Sequence, residues 1–311
     1  MVSQNILLTT SKMMLLELDS AKIASYLPPC SLQWQDKKLL VKAIEANSVN
    51  ILPPLKRREW LKICLQNSIV EQVCLDSKLP ETAIKLWADV CQESQRQVAL
   101  ELPVAKQILR EKQPLCWRIK RLLDWFAAAT LLVLLSPIFL VTALLIKILT
   151  PGPIFFRQWR VGEGGKLFQV YKFRTMVVDA EQQHHRIMGK SKKLHKLEND
   201  PRITFLGKWL RKFSIDELPQ LFNVLRGEMS LVGPRPWALY DALRLEAAVY
   251  HRLHALPGIT GAWQITARSK ILDLDAVTQY DLDYLNTWSL TQDLKILLLT
   301  VPKVLSGFGA Y

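Results

Sequence analysis

Residues 125–146, WFAAATLLVLLSPIFLVTALLI, run for 22 positions without a charge. An α-helix needs about 20 apolar residues to cross the hydrocarbon of a bilayer, and a helix of this size in a soluble core would show a polar face. The run therefore predicts lipid contact. Ser136-Pro137 interrupts it near its midpoint. Proline removes a backbone donor and crowds the preceding turn, which predicts a kink, with the freed carbonyls partly met by the Ser136 hydroxyl. Arg118, Lys120 and Arg121 precede the run and Lys147 follows it. Basic flanks favour both ends on the cytoplasmic side, but on the residues alone a kinked span and a re-entrant hairpin both remain open. Asp124 enters the apolar segment, where a carboxylate is expensive. It either sits at headgroup depth or takes a partner in Arg121 or Lys120, three and four residues back along a helix.

The chain has 311 residues, which favours two domains, and a formal net charge of +13. Residues 1–112 hold 15 basic against 12 acidic side chains and residues 113–311 hold 26 against 16, so the C-terminal part carries most of the excess. Its partner is expected to be anionic. No RRM, KH or helix-turn-helix signature supports nucleic acid. Five scattered cysteines without C-x-x-C spacing suit a reducing compartment. The N-terminus lacks the basic and apolar regions of a signal peptide, so none is expected.

Residues 214–236, SIDELPQLFNVLRGEMSLVGPRP, place Asp216 and Glu217 side by side among Arg211, Arg226 and Arg235. Two carboxylates can divide nucleophilic and metal-binding roles, and planar guanidinium groups suit phosphate oxygens. An acidic pair alone is usually a solvated helix start. Pro219 fits the first turn of a helix capped by Ser214, whose positive end would face phosphates beside Asp216. Upstream, residues 151–176 read as a strand, a glycine-rich turn at Gly162–Gly165 and a second strand, a hairpin rather than a phosphate cradle. Lys172 and Arg174 alternate with aromatic residues, which puts both cations on one strand face beside an anionic site. Residues 179–198 read as an exposed charged helix and loop, with no metal role for His184, His185 or His195.

Read in order, KRLLDW, SPIF, PGPIFFRQWRVG, YKFRTM, NDPRIT, the Asp-Glu segment, PGITGAWQ and the terminal GFGAY resemble the bacterial sugar transferases, the monotopic polyprenyl-phosphate phosphoglycosyl transferases, from about Trp117 to Tyr311. The resemblance implies a re-entrant helix-break-helix with its break at Ser136-Pro137. It also implies transfer of a sugar-1-phosphate from a nucleotide-diphosphate sugar, of the UDP-hexose kind, to polyprenyl phosphate such as undecaprenyl phosphate, releasing nucleoside monophosphate. Carried over by motif, Asp216 would be a covalent nucleophile and Glu217 would hold Mg2+, while Arg211, Arg235 and Arg268 would bind phosphate. The family's small-Gly-Arg triplet stands here as Thr266-Ala267-Arg268, without the glycine's access to positive φ. The implied setting is the cytoplasmic membrane, the active site facing the cytoplasm, at the first membrane step of exopolysaccharide or related glycan synthesis.

The fold class expected is mostly α with a small β-hairpin component. It is a monotopic membrane protein with a re-entrant helix pair over about 118–149 and interfacial amphipathic helices, one of them around Trp288 and Leu294–Leu299. Domain boundaries fall at 1–112 and 113–311. The first domain, punctuated by prolines, reads as helical; regulation, homo-oligomerisation and docking of glycan-pathway partners are its open roles. Trp263 is either a packing residue or a wall facing the nucleotide or the membrane interface. The competing reading is a peripheral adaptor that binds anionic lipid or nucleic acid through its basic surface and releases no nucleoside monophosphate.

Overall fold

The computed structural model describes residues 30–43, 58–102, 113–178, 180, 200–244, 252–266 and 274–307. The charged run 181–198 with its three histidines, and Arg268, lie outside them. The chain divides into two compact units, Met1–Glu101 and Leu102–Tyr311.

The first unit is not the helical domain that the sequence suggested. Strands β1 (Cys30–Gln35), β2 (Lys38–Ala43), β3 (Gln72–Leu75) and β4 (Gln97–Leu100) form one sheet in that order, with α1 (Arg58–Gln66) and α2 (Glu81–Glu93) in the connections. β1 and β2 form an antiparallel hairpin turned at Asp36, whose φ is 51°, while β2–β3 and β3–β4 are parallel. The misreading has a physical cause. Strands covered on both faces lose apolar–polar alternation, and Leu39-Leu40-Val41 and Val98-Ala99-Leu100 are each buried at three consecutive positions, so they resemble fragments of helix.

The second unit opens with α3 (Pro114–Leu134) and α4 (Ser136–Leu149), which bend by 60° at Leu135. Pro137 has no N–H to give to the carbonyl four residues back, that of Val133. Ser136 Oγ donates to that carbonyl instead at 2.8 Å. Among the described residues no single helix is long and apolar enough to cross a membrane; the bent pair reaches that length only when both parts are counted. Its outer face is apolar, with Val133 and Leu140 more than 70% exposed.

Beyond this pair, β5 (Phe155–Val161) and β6 (Leu167–Phe173) make the expected antiparallel hairpin, its turn carried by Gly164 and Gly165 at φ 65° and 78°. The second unit nevertheless holds more sheet than one hairpin. After α5 (Phe205–Lys212) and α6 (Gln220–Leu225) come β7 (Ser230–Val232) and β8 (Trp237–Ala238). Next are α7 (Leu239–Ala242), β9 (Gly258–Thr260), α8 (Ala262–Thr266), α9 (Leu274–Asn286) and α10 (Leu290–Leu305). β8 pairs antiparallel with β5, and β7 pairs parallel with β9.

The main core joins Trp117 and Ala128 of α3 to Phe168 and Val170 of β6, Leu221 and Val224 of α6, and Trp288 and Ile296. Trp288 is thus a buried core residue rather than an interfacial anchor: its indole donates to Asp293, 3.2 Å away, at the start of α10. Trp263 is buried too. Leu294, Leu298 and Leu305 do face outward along α10, as an amphipathic helix requires.

Asp124 is buried and takes the cationic partners expected of it. Arg121 Nη1 stands 3.2 Å and Lys120 Nζ 3.7 Å from its Oδ2, and Ser230 Oγ and the Leu231 amide donate to the carboxylate from β7. Lys120 also bonds Asp293 at 2.6 Å, which in turn accepts from Tyr284. This network ties the first half of the bent pair to β7, α9 and α10.

Candidate active site

The acidic pair sits on a sharp junction. Thr204 caps α5 by accepting from the Gly207 amide at 3.0 Å, and Gly207 lies so close to the chain after β6 that a Cβ there would be 2.0 Å from the Thr175 carbonyl oxygen. At the other end of α5, Arg211 Nε donates to Thr175 Oγ1 at 2.9 Å. Ser214 then takes a left-handed conformation, φ 53°, and the chain enters a single 3-10 turn, Ile215–Glu217. The expected helix start is therefore displaced. Ser214 makes no side-chain cap, Pro219 is the residue before α6, and the α-helix begins behind the acidic pair rather than beneath it. A left-handed residue ends one helix, and proline, lacking an N–H, opens the next.

Asp216 and Glu217 are each 7% exposed. Glu217 Oε1 accepts from Lys172 Nζ at 2.7 Å and from Arg235 Nη2 at 3.1 Å. Lys172 comes from β6 and Arg235 from the Gly233–Pro236 segment between β7 and β8, so three separate parts of the chain meet at one carboxylate oxygen. Burial pushes the Lys172 ammonium below the ordinary lysine range; Glu217 opposes the drop and Arg235 adds to it. Burial also lowers Arg211, opposed first by Asp216, then by Asp200 and Glu217. A guanidinium stays protonated regardless, so Arg211 adds fixed positive charge near Asp216.

Arg160 is a member that sequence reasoning missed. It points from β5 to the same face as Lys172 and lines, with Lys172, Arg235, Gln220, Val170 and Ile259, a narrow cleft. Its Nη1 donates to the Pro236 carbonyl at 3.1 Å and its Nη2 to Gln158 at 2.6 Å. A signal existed: in a hairpin turned at Gly164, residues 160 and 172 have the same parity and so share a face.

Arg174 does not join the site. β6 ends at Phe173, and the Arg174 guanidinium turns to the C-terminal end of α4, donating to the Thr150 carbonyl and to Thr150 Oγ1. The exposed carbonyls and negative dipole end of a helix attract a cation, and that attraction wins over strand alternation one residue past the strand. Arg226 also turns away, to the Tyr171 hydroxyl at 2.8 Å.

Magnesium fits the chemistry of this donor set in one way only. Asp216 and Glu217 offer hard carboxylate oxygens, but among the described residues no group of three His, Cys, Asp or Glu could form a cage. Magnesium commonly binds through one or two carboxylates together with substrate phosphates and water, and a surround of cations suits an anionic ligand that arrives with it. The residue that would hold it is Glu217.

The family model for bacterial sugar transferases matches residues 115–307. The chain is 49% identical over 165 residues to the galactosyl transferase CpsE of Streptococcus agalactiae, covering 51% of this chain and 36% of that protein. It is 41% identical over 208 residues to the exopolysaccharide production protein ExoY of Rhizobium meliloti, covering 64% of this chain and 91% of that one. A UDP-glucose:undecaprenyl-phosphate glucose-1-phosphate transferase of Caulobacter vibrioides is 46% identical over 201 residues, 62% of this chain and 72% of that protein.

Proposed function

From the premise that the chain belongs to the bacterial sugar transferase family, we propose that it moves a sugar-1-phosphate from a UDP-hexose to undecaprenyl phosphate and releases uridine monophosphate. The observation that carries this reading is the buried Asp216-Glu217 turn, with Glu217 held between Lys172 and Arg235 and with Arg211 beside Asp216. A carboxylate can attack a diphosphate only where the negative charge of its target is neutralised, and fixed cations in a partly desolvated site do this without reorganisation. The relatives' printed names describe the same donor and acceptor classes.

In the first step an Asp216 carboxylate oxygen attacks the phosphorus that bears the sugar. The bond from that phosphorus to the bridging oxygen breaks, and uridine monophosphate leaves with the electron pair. In the second, an oxygen of undecaprenyl phosphate attacks the same phosphorus and displaces the Asp216 carboxylate, giving the lipid-linked diphospho-sugar. Lys172, Arg235 and Arg160 bind the diphosphate oxygens, and Arg211 holds positive charge at the attacked centre. Magnesium, held by Glu217 when bound, supplies further charge neutralisation to the diphosphate.

The bent pair α3–α4 with its apolar outer face, and the outward leucines of α10, support a monotopic seat in the cytoplasmic membrane with the active site on the cytoplasmic side. There the acceptor's phosphate and the soluble donor can meet.

The test is turnover of purified protein with undecaprenyl phosphate, magnesium and a panel of UDP-sugars, following label into the organic phase. One sugar is expected to enter the lipid with one uridine monophosphate released per transfer. Anion binding without nucleotide release across the panel would leave an adaptor as the better reading.

A further inference from the structure

Arg235 reaches Glu217 from a segment that is unusually constrained. Pro234 and Pro236 stand on either side of it, fixing two φ angles and removing two backbone donors. Gly233 packs so tightly against the neighbouring chain that a Cβ would lie 2.5 Å from the Leu256 carbonyl oxygen. Two carbonyls of the segment accept from guanidinium groups that come from elsewhere in the fold. Arg252 Nη2 donates to Arg235 O at 3.0 Å, and Arg160 Nη1 donates to Pro236 O at 3.1 Å.

Arg252 is 2% exposed. Its guanidinium lies over the ring of Trp237, with Cζ 4.1 Å from the centroid, and the Nη2 group that bonds Arg235 O also donates to Asp281 Oδ2 on α9. One nitrogen with two hydrogens thus joins a buried carboxylate to the backbone of the site arginine. Stability alone is a weak reason for an ion pair at this depth, because well-packed apolar side chains of similar volume often stabilise as much or more. The bond to Arg235 O supplies a second reason.

We infer that Arg252, anchored by Asp281, is a positioning residue for phosphate binding: it holds the peptide of Arg235 so that the Arg235 guanidinium stands beside Glu217 before the donor arrives. This rests on the phosphate role proposed above for Arg235. Misplacing such a group by about 1 Å is enough to slow a reaction by up to roughly 100-fold, while the fold around it persists.

The test is a double-mutant cycle on kcat/KM with undecaprenyl phosphate and the UDP-sugar that the protein turns over. Arg252→Lys keeps a charge opposite Asp281, but a compact ammonium cannot reproduce the planar guanidinium's stacking and paired donation. In the wild-type background it is expected to lower kcat/KM by roughly 10- to 100-fold with melting temperature retained. In an Arg235→Lys background, which keeps charge and measurable turnover, the same change is expected to add little. An equal fold-loss in both backgrounds, or no loss in either, would overturn the positioning role. Should Arg252→Lys not fold, Asp281→Asn, which leaves the carbonyl bond but weakens its anchor, is expected to give the same non-additivity and is judged by the same outcomes. If Arg235→Lys turns over at the wild-type rate with unchanged KM, the phosphate clamp itself fails, and the positioning with it.

Discussion

Ser230 Oγ donates to Asp124 Oδ2 at 2.7 Å, a bond between β7 and the first half of the bent helix pair that joins positions 106 residues apart. Asp124 is further met by Arg121, Lys120 and the Leu231 amide, and Lys120 continues to Asp293. A carboxylate buried this deeply is tolerable only when its acceptor capacity is filled, and here it is filled from both sides of the interface. The network fixes where α3 enters relative to the strand that leads into Gly233–Pro236.

Removing the carboxylate should therefore be severe. Asp124→Ala takes away the carboxylate that Arg121 pairs with and the more distant of the two that Lys120 faces, and it removes the acceptor of the Ser230 hydroxyl and the Leu231 amide. A loss of about 3–5 kcal/mol is expected for breaking this buried pair from one side. Asp124→Asn keeps an acceptor for Ser230 and should cost less, about 1–3 kcal/mol. Chemical unfolding of both variants in one detergent checks the order. Equal stability of Asp124→Ala and wild type would show that the network contributes nothing to holding α3.

A membrane seat with both ends of 118–147 on the cytoplasmic side is expected from the Ser136-Pro137 break. Single cysteines placed at each end should both resist a membrane-impermeant reagent applied from the periplasmic side. Pro137→Leu restores the amide that the Val133 carbonyl lacks, straightens the pair and should shift one end toward labelling. Labelling of one end in the wild type would mean a single kinked span.

Asp216→Asn keeps size and hydrogen bonding but removes the attacking anion, so both uridine monophosphate release and lipid product should fall to background. Glu217→Gln should slow turnover strongly and raise the magnesium concentration needed. With donor and magnesium but no undecaprenyl phosphate, a quenched sample should carry a phospho-sugar mass on the peptide containing Asp216. An adduct elsewhere, or product that forms only when both substrates are present together, would favour direct transfer instead.

Lys172 gives a pH prediction with opposite signs for activity and stability. Burial, and secondarily Arg235, lower its native pKa against the pull of Glu217, whereas an unfolded lysine holds its proton to about pH 10.4. Between the two values the unfolded state binds more protons, so this group's contribution to stability is unfavourable below the native pKa and is relieved as pH rises toward the unfolded one. Activity should do the reverse, falling as the ammonium near the diphosphate is lost. Lys172→Arg, whose guanidinium stays protonated, should move the alkaline limb of kcat/KM to higher pH. An unmoved limb would assign the titration to another group.

What the sequence by itself determined is what a few covalently linked residues can dictate. Pro137 must release the Val133 carbonyl, Gly164 and Gly165 permit the left-handed turn between β5 and β6, and Asp216 and Glu217 are adjacent in any fold. The order of motifs from Trp117 onward carried the family for the same reason, since each motif is local. Tertiary structure alone decided which distant groups meet. Arg252 reaching Arg235 O, Ser230 reaching Asp124, and Lys172 and Arg235 converging on one oxygen of Glu217 all join separate elements, and no local propensity specifies such a meeting. Arg174 shows the competition directly: strand alternation pointed it toward the site, but the unsatisfied end of α4 at Thr150 lay nearer. In the first unit, burial on both faces erased the alternation by which strands are recognised, so a sheet was legible only after Leu39, Val73 and Val98 had been brought side by side.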